Sequence, residues 1–170
     1  MADEPRTPAD PISPDTKDWT WVLTRACADC GFDPAAVGRA TVGARIEAAL
    51  APWPAVLARD GVRTRPRRGV WSPLEYACHV RDVCRIFAAR AGLMREQEDP
   101  TFAGWDQDAT AIQERYDAQD PAVVAIEVGA ASAAAVAAFA AVRAGEWDRT
   151  GVRSDGSRFT LETLAAYFLH

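Results

Sequence analysis

Most apolar positions in the chain recur at helical intervals, and few segments alternate as a strand would. Val37, Val42 (or Thr41), Ile46 and Leu50 form a first stripe. It is preceded by Asp33-Pro34, an N-cap aspartate with proline at the first helical position. Pro52 and Pro54 break or bend this helix around Trp53, and a short second piece carries Val56 and Leu57. Ser72-Pro73-Leu74-Glu75 is the strongest helix start, because the serine caps and the glutamate three residues on completes a capping box. From there Tyr76, Val80, Val83 and Phe87 make one apolar stripe, with His79 and Ile86 beside it, and the helix is expected to reach about Arg95. Residues 97–120 read as loop, with a short helix over 110–116. Asp120-Pro121 opens an Ala-rich helix lasting to about Arg143, and a final helix runs from Thr160 to the end.

Four principal helices with no clear strand pattern and no internal repeat predict an all-α four-helix bundle over residues 34–170. Val152 suits a short extended stretch, but no partner for it is evident. Residues 1–33 read as an irregular N-terminal extension: a loose Pro- and Asp-rich tail over 1–18, an apolar aromatic segment over 19–23, and a tight turn, Cys27-Ala28-Asp29-Cys30-Gly31. The length, 170 residues, suits one domain with such an appendage.

Charge narrows the partners. Nineteen basic against 24 acidic residues give a net charge of −5, so no overall positive field attracts nucleic acid or anionic lipid. Residues 122–142 carry one charge, Glu127, but are mostly alanine, too weakly apolar to favour a membrane span over a bundle helix. Residues 1–18 lack the apolar run of a signal peptide. Four cysteines without an export signal then imply a reducing cytoplasm and free or metal-bound thiols. No P-loop, dinucleotide-binding glycine fingerprint or Gly-x-Ser-x-Gly elbow occurs, so nucleotide-dependent and serine-hydrolase mechanisms have no support.

The candidate chemistry lies in few residues. The two histidines, His79 and His170, both sit in apolar helices. Glu75 and Asp82 lie about one turn either side of His79, where a carboxylate can orient an imidazole or pair with a nearby arginine. Cys27 and Cys30 have the spacing at which two thiolates chelate one ion, but no second CxxC follows; a redox dithiol and a merely structural turn fit the same spacing. Together Cys27, Cys30, His79 and His170 would make a tetrahedral set, although nothing in their spacing brings them together. Cys78 and Cys84 lie on different faces of one helix and read as packing residues. The loop arginines, including Arg67 and Arg68, can dock an acidic substrate or thiol, or simply face solvent. Trp105, Asp106 and Asp108 suit a pocket mouth, or equally a plug at the bundle end with turn-capping aspartates, while Trp71 and Trp147 read as packing anchors.

The run from Trp71 through His79 to Val83 resembles the second-helix signature of the DinB-like superfamily, four-helix metal-binding bundles related to mycothiol-dependent maleylpyruvate isomerases and bacillithiol transferases. Trp105-Asp106-Gln107-Asp108, Trp147-Asp148-Arg149 and the stretch from Arg153 to His170 are similar to an actinobacterial branch of it, so the likeness covers roughly residues 34–170. It implies a divalent metal, zinc or nickel, held by one histidine of the second helix and two, four residues apart, of the last. His79 matches the first and His170 the first of the pair; the remaining one would fall past the last residue given, a departure from the pattern. The resemblance also implies a low-molecular-weight thiol cofactor, thiol transfer or isomerisation of a small molecule, and often a homodimer. The rival readings are a non-catalytic bundle that binds a small molecule or partner, and a structural zinc knuckle at Cys27/Cys30.

Overall fold

The computed structural model describes residues 12–14 and 17–170, so most of the expected tail over 1–18 lies outside the described residues. The described residues form six α-helices: α1 (Val42–Leu50), α2 (Trp53–Leu57), α3 (Pro73–Glu96), α4 (Gln107–Gln113), α5 (Pro121–Ala140) and α6 (Leu161–Leu169). Helices α1, α3, α5 and α6 form the bundle. Each of α1 and α3 packs against both α5 and α6, so the order around the bundle is α1, α5, α3, α6. Helix α2 covers the end of α5 and α3, and α4 leans on α3.

Local chemistry explains the boundaries. Ser72 Oγ accepts from the Glu75 N–H while the Glu75 carboxylate accepts from the Ser72 N–H, the capping box expected for α3. Asp120 caps α5 through the Ala122 and Val123 amides. The first bundle helix departs from expectation. Asp33-Pro34 starts only one 3-10 turn, Pro34–Ala36; Val37 and Gly38 are then extended, a second 3-10 turn covers Arg39–Thr41, and α1 begins at Val42. Val37 is nevertheless buried, so its stripe belongs to the core but not to one continuous helix. Helix α4 also starts earlier than the pattern suggests, because Asp106 caps it by accepting from the Ala109 N–H.

The expectation of no strands is corrected by a small sheet. β1 (Thr101–Phe102) runs parallel to β2 (Thr150–Arg153), which pairs antiparallel with β3 (Arg158–Thr160). The register sets Gly151 opposite Phe159 and Phe102 opposite Arg153. Gly151 is forced by packing, since a Cβ there would sit 2.8 Å from Met94 Cγ and 2.9 Å from Phe102 Cε1. β3 leads directly into α6, whose Thr160 N-cap accepts from the Thr163 N–H.

One core joins Ile46, Phe87, Met94, Phe139, Phe159 and Leu164; a second joins Leu57, Leu74, Tyr116, Val124 and Val128. Cys78 and Cys84 are fully buried, and burial pushes their thiols up to about 12 and about 11, so they are unreactive packing residues. Helix α5 is long and apolar enough to cross a membrane by length and composition, yet it lies along α1 and α3. Its Glu127 pairs with Arg81, which is buried on α3 and is also held by Asp82.

Candidate metal centre and the adjoining cavity

His79 lies in the second turn of α3, where the capping box fixes the direction in which the helix leaves Trp71. Its ring stacks on Trp105, with centroids 5.1 Å apart and planes 13° from parallel, and meets Trp71 at 5.2 Å. The Trp105 indole is itself anchored, donating from Nε1 to Thr110 Oγ1 at 2.8 Å. Burial between these rings drives the His79 pKa down to about 4, with the Asp82 charge only partly opposing it. The ring is therefore neutral at physiological pH. His170 ends α6 with its N–H on Ala166 O, and its ring is surrounded by Trp19 at 5.4 Å, Trp21 at 5.9 Å and Phe32 at 5.4 Å. Burial lowers its pKa as well.

These two imidazoles share an unusual condition. Among the described residues, His79 Nδ1 and His170 Nε2 are the buried side-chain nitrogen or oxygen atoms with no hydrogen-bond partner. Both residues border one cavity of about 500 Å³, together with Trp19, Trp71, Tyr76 and Asp108.

The CxxC turn is built to present sulfur. The Gly31 N–H donates to Cys27 O at 2.9 Å and the Cys27 N–H to Phe32 O at 2.7 Å, while Gly31 takes the left-handed conformation, φ +73°. Cys27 is buried and Cys30 exposed. The backbone N–H of Cys30, outweighing burial, holds the Cys27 thiol below its ordinary pKa. The turn packs at the end of α6, so that one ligand atom each from Cys27, Cys30 and His170 lie within 4.8 Å of one another. His79 stands outside this group. Two sulfurs and an imidazole nitrogen are a donor set that fits a zinc-like ion.

The remaining candidates separate. Glu75 is nearly enclosed; burial raises its carboxyl, but the Arg65 ion pair and the Ser72 amide outweigh that and hold it low. Asp82 is likewise raised by burial and brought down further by Arg81 and by the Tyr116 hydroxyl, which donates to it at 2.5 Å. Neither carboxylate bonds His79 Nδ1, and both are held by partners of the α3 scaffold. Arg67 and Arg68 are exposed on the loop before α3 and do not border the cavity. Asp106 is an exposed helix cap, and it is Gln107 and Asp108, just after it, that reach the cavity wall. Trp71 and Trp19 were not evident as site residues in the sequence; the one available signal was an aromatic placed directly before the capping box of a histidine-bearing helix.

The DinB superfamily model matches residues 32–170. No curated protein matches. Among solved structures, YfiT from Bacillus subtilis, described as a probable metal-dependent hydrolase with an unusual four-helix bundle topology, is 20% identical with a TM-score of 0.65, covering 79% of this chain and 82% of its own. That likeness concerns the fold. The family match spans most of the chain and includes both histidines: the chain belongs to the DinB superfamily.

Proposed function

We propose that this chain is a metal-dependent enzyme acting on a small molecule held in the cavity between His79 and His170. The observation that carries the reading is the pair of histidines bordering one cavity, each with a buried, unpartnered ring nitrogen. Leaving a buried polar atom unpaired costs about 1–3 kcal/mol, and such atoms ask for a ligand that satisfies them. A ligating imidazole must also be neutral, which burial secures here. His170 would hold the ion, and His79 would present its ring from α3 to the bound molecule.

A divalent ion, zinc or nickel, would supply Lewis acidity and favour the thiolate form of a coordinated thiol. The chain's own residues do the rest. Trp19, Trp71 and Tyr76 offer flat surfaces to a planar or ring-shaped molecule. Gln107 and Asp108 offer polar contacts from α4. The reaction class we propose is attack of a low-molecular-weight thiol on a small electrophile, giving transfer or isomerisation; water in the thiol's place would give hydrolysis, the class ascribed to YfiT. The same reading places the protein in the cytoplasm, as a homodimer with no nucleic-acid or membrane partner.

The test is elemental analysis of purified protein, followed by turnover of small electrophiles with and without added thiol. About one zinc or nickel per chain, lost in His170→Ala, with metal-dependent turnover, supports the proposal. A protein without metal whose thermal stability ignores chelator would show it to be a non-catalytic binding bundle.

A further inference from the structure

We infer that the CxxC turn of the N-terminal extension and the end of α6 form a mixed thiolate–imidazole centre for a thiophilic divalent ion, with Cys27, Cys30 and His170 as its protein ligands. This rests on the metal-dependent reading above and states which donors hold the ion.

Three independent observations converge. Ligand atoms of the three residues lie within 4.8 Å of one another although they are separated by about 140 positions in sequence. Donors on one tetrahedral ion, with bonds of about 2.0–2.3 Å, stand roughly 3.3–3.8 Å apart, so a small closing movement would bring these three onto one ion. His170 Nε2 is buried and has no other partner, so nothing competes for its lone pair or proton. The turn is rigid and aimed: two backbone hydrogen bonds close it, Gly31 supplies the left-handed residue after the second cysteine, and Phe32 lies against the His170 ring at 5.4 Å. The extension is thus packed on α6 by Trp19, Trp21 and Phe32 before any ion binds.

The donor set selects its ion. Two thiolates neutralise a divalent charge, and soft sulfur prefers zinc or cobalt over magnesium or calcium. Three protein donors leave one coordination position, and His170 is the donor that borders the cavity. The residues that match the DinB superfamily begin at Phe32, so both cysteines lie outside the matched span. His79 does not belong to the ligand set.

Cobalt(II) replaces zinc and reports its donors. The full chain, kept reduced with a phosphine so that no buffer thiol ligates, is titrated with cobalt. Expected are about one equivalent bound and a thiolate-to-cobalt charge-transfer band in the near ultraviolet. Cys27→Ser/Cys30→Ser should lose the band and weaken binding by at least about 100-fold, since even indirect partners of a metal ligand are worth 10–100-fold. His79→Ala should keep the band, and circular dichroism of each variant checks its fold. Cobalt bound without the band, indifferent to the cysteines and lost in His79→Ala, would overturn this assignment while leaving metal dependence standing. No cobalt uptake by the folded wild type would overturn both.

Discussion

The His79 imidazole lies flat against the Trp105 indole, 13° from parallel, with its Nδ1 buried and unpartnered. The stack excludes the water that would solvate an imidazolium, and so lowers the pKa from 6.5 to about 4. The sign of the stability effect follows. The unfolded chain binds a proton here that the folded chain refuses between those two values. The contribution is therefore complete above pH 6.5 and is lost as pH falls towards 4. Its ceiling is about 3 kcal/mol by the usual 1.4 kcal/mol per pKa unit. In metal-free protein, urea midpoints measured from pH 7 to 4.5 should fall more steeply for the wild type than for His79→Phe, which keeps the stack but cannot charge. His170 pulls in the same direction and remains in the variant, so part of the slope persists. Identical slopes would mean that His79 is solvated.

Arg81 predicts the largest loss of stability. It is buried between α3 and α5, donating to Asp82, Glu127 and Gln119. Asp82 also receives the Tyr116 hydroxyl. Arg81→Met leaves Asp82 mostly buried with only Tyr116 and the exposed Arg85 to meet its charge. Breaking a buried pair in this way costs roughly 3–5 kcal/mol. Chemical denaturation should show that loss with an unchanged denaturant dependence. A change below about 1 kcal/mol would place the pair in the weak class of exposed ion pairs.

Glu75 separates scaffold from site. Its neighbourhood to His79 on α3 suggested an orienting role, but its oxygens are committed to Arg65 and to the Ser72 amide. Glu75→Gln should destabilise by about 1–3 kcal/mol through the weakened charge-assisted bonds and leave zinc affinity within about twofold, well short of the 10–100-fold a true orienting partner would show. A large fall in affinity with stability intact would reverse that assignment.

The contrast between these residues shows what could be read from the chain. The α3 start was legible because Ser72, Pro73 and Glu75 act on one another within four residues. The α5 start was legible for the same reason, through Asp120 and Pro121. The break at Val37-Gly38 was not, since a buried valine continues the apolar stripe whether or not the backbone is helical. The sheet was hidden because its strands are two to four residues long and β1 pairs with β2 across some fifty positions. The same distance problem governs the site. Family resemblance paired His79 with His170, whereas only tertiary structure brings Cys27 and Cys30 to His170 and leaves Arg67 and Arg68 outside.

Gly151 tests the sheet directly. It lies in β2 where the strand passes over Met94 and Phe102, and a methyl group would overlap both. Gly151→Ala should cost about 1–3 kcal/mol, the range for overpacking a filled core, although alanine suits a strand better than glycine. A lowered thermal midpoint with an intact helical signal is the expected outcome. A neutral or stabilising effect would mean that β2 does not approach α3 this closely.

Metal removal should loosen one part of the molecule more than the rest. An ion on Cys27, Cys30 and His170 would join the N-terminal extension to the end of α6, two segments otherwise held by Trp19, Trp21 and Phe32 around the His170 ring. The bundle itself does not depend on that tie, because α3, α5 and α6 are joined by Phe168, which stacks on Phe87 and on Phe139. Ligand linkage gives about 2.7 kcal/mol of stabilisation at a free zinc concentration a hundred times the dissociation constant. Local opening takes the weakest segments first. Hydrogen exchange of the zinc-loaded chain should therefore show protection at residues 19–32 and in the last turn of α6, and chelator should remove it there while α3 and α5 stay protected. Uniform deprotection along α3 and α5 would place the ion inside the bundle, and an unchanged pattern would mean that the extension is held by its aromatic contacts alone.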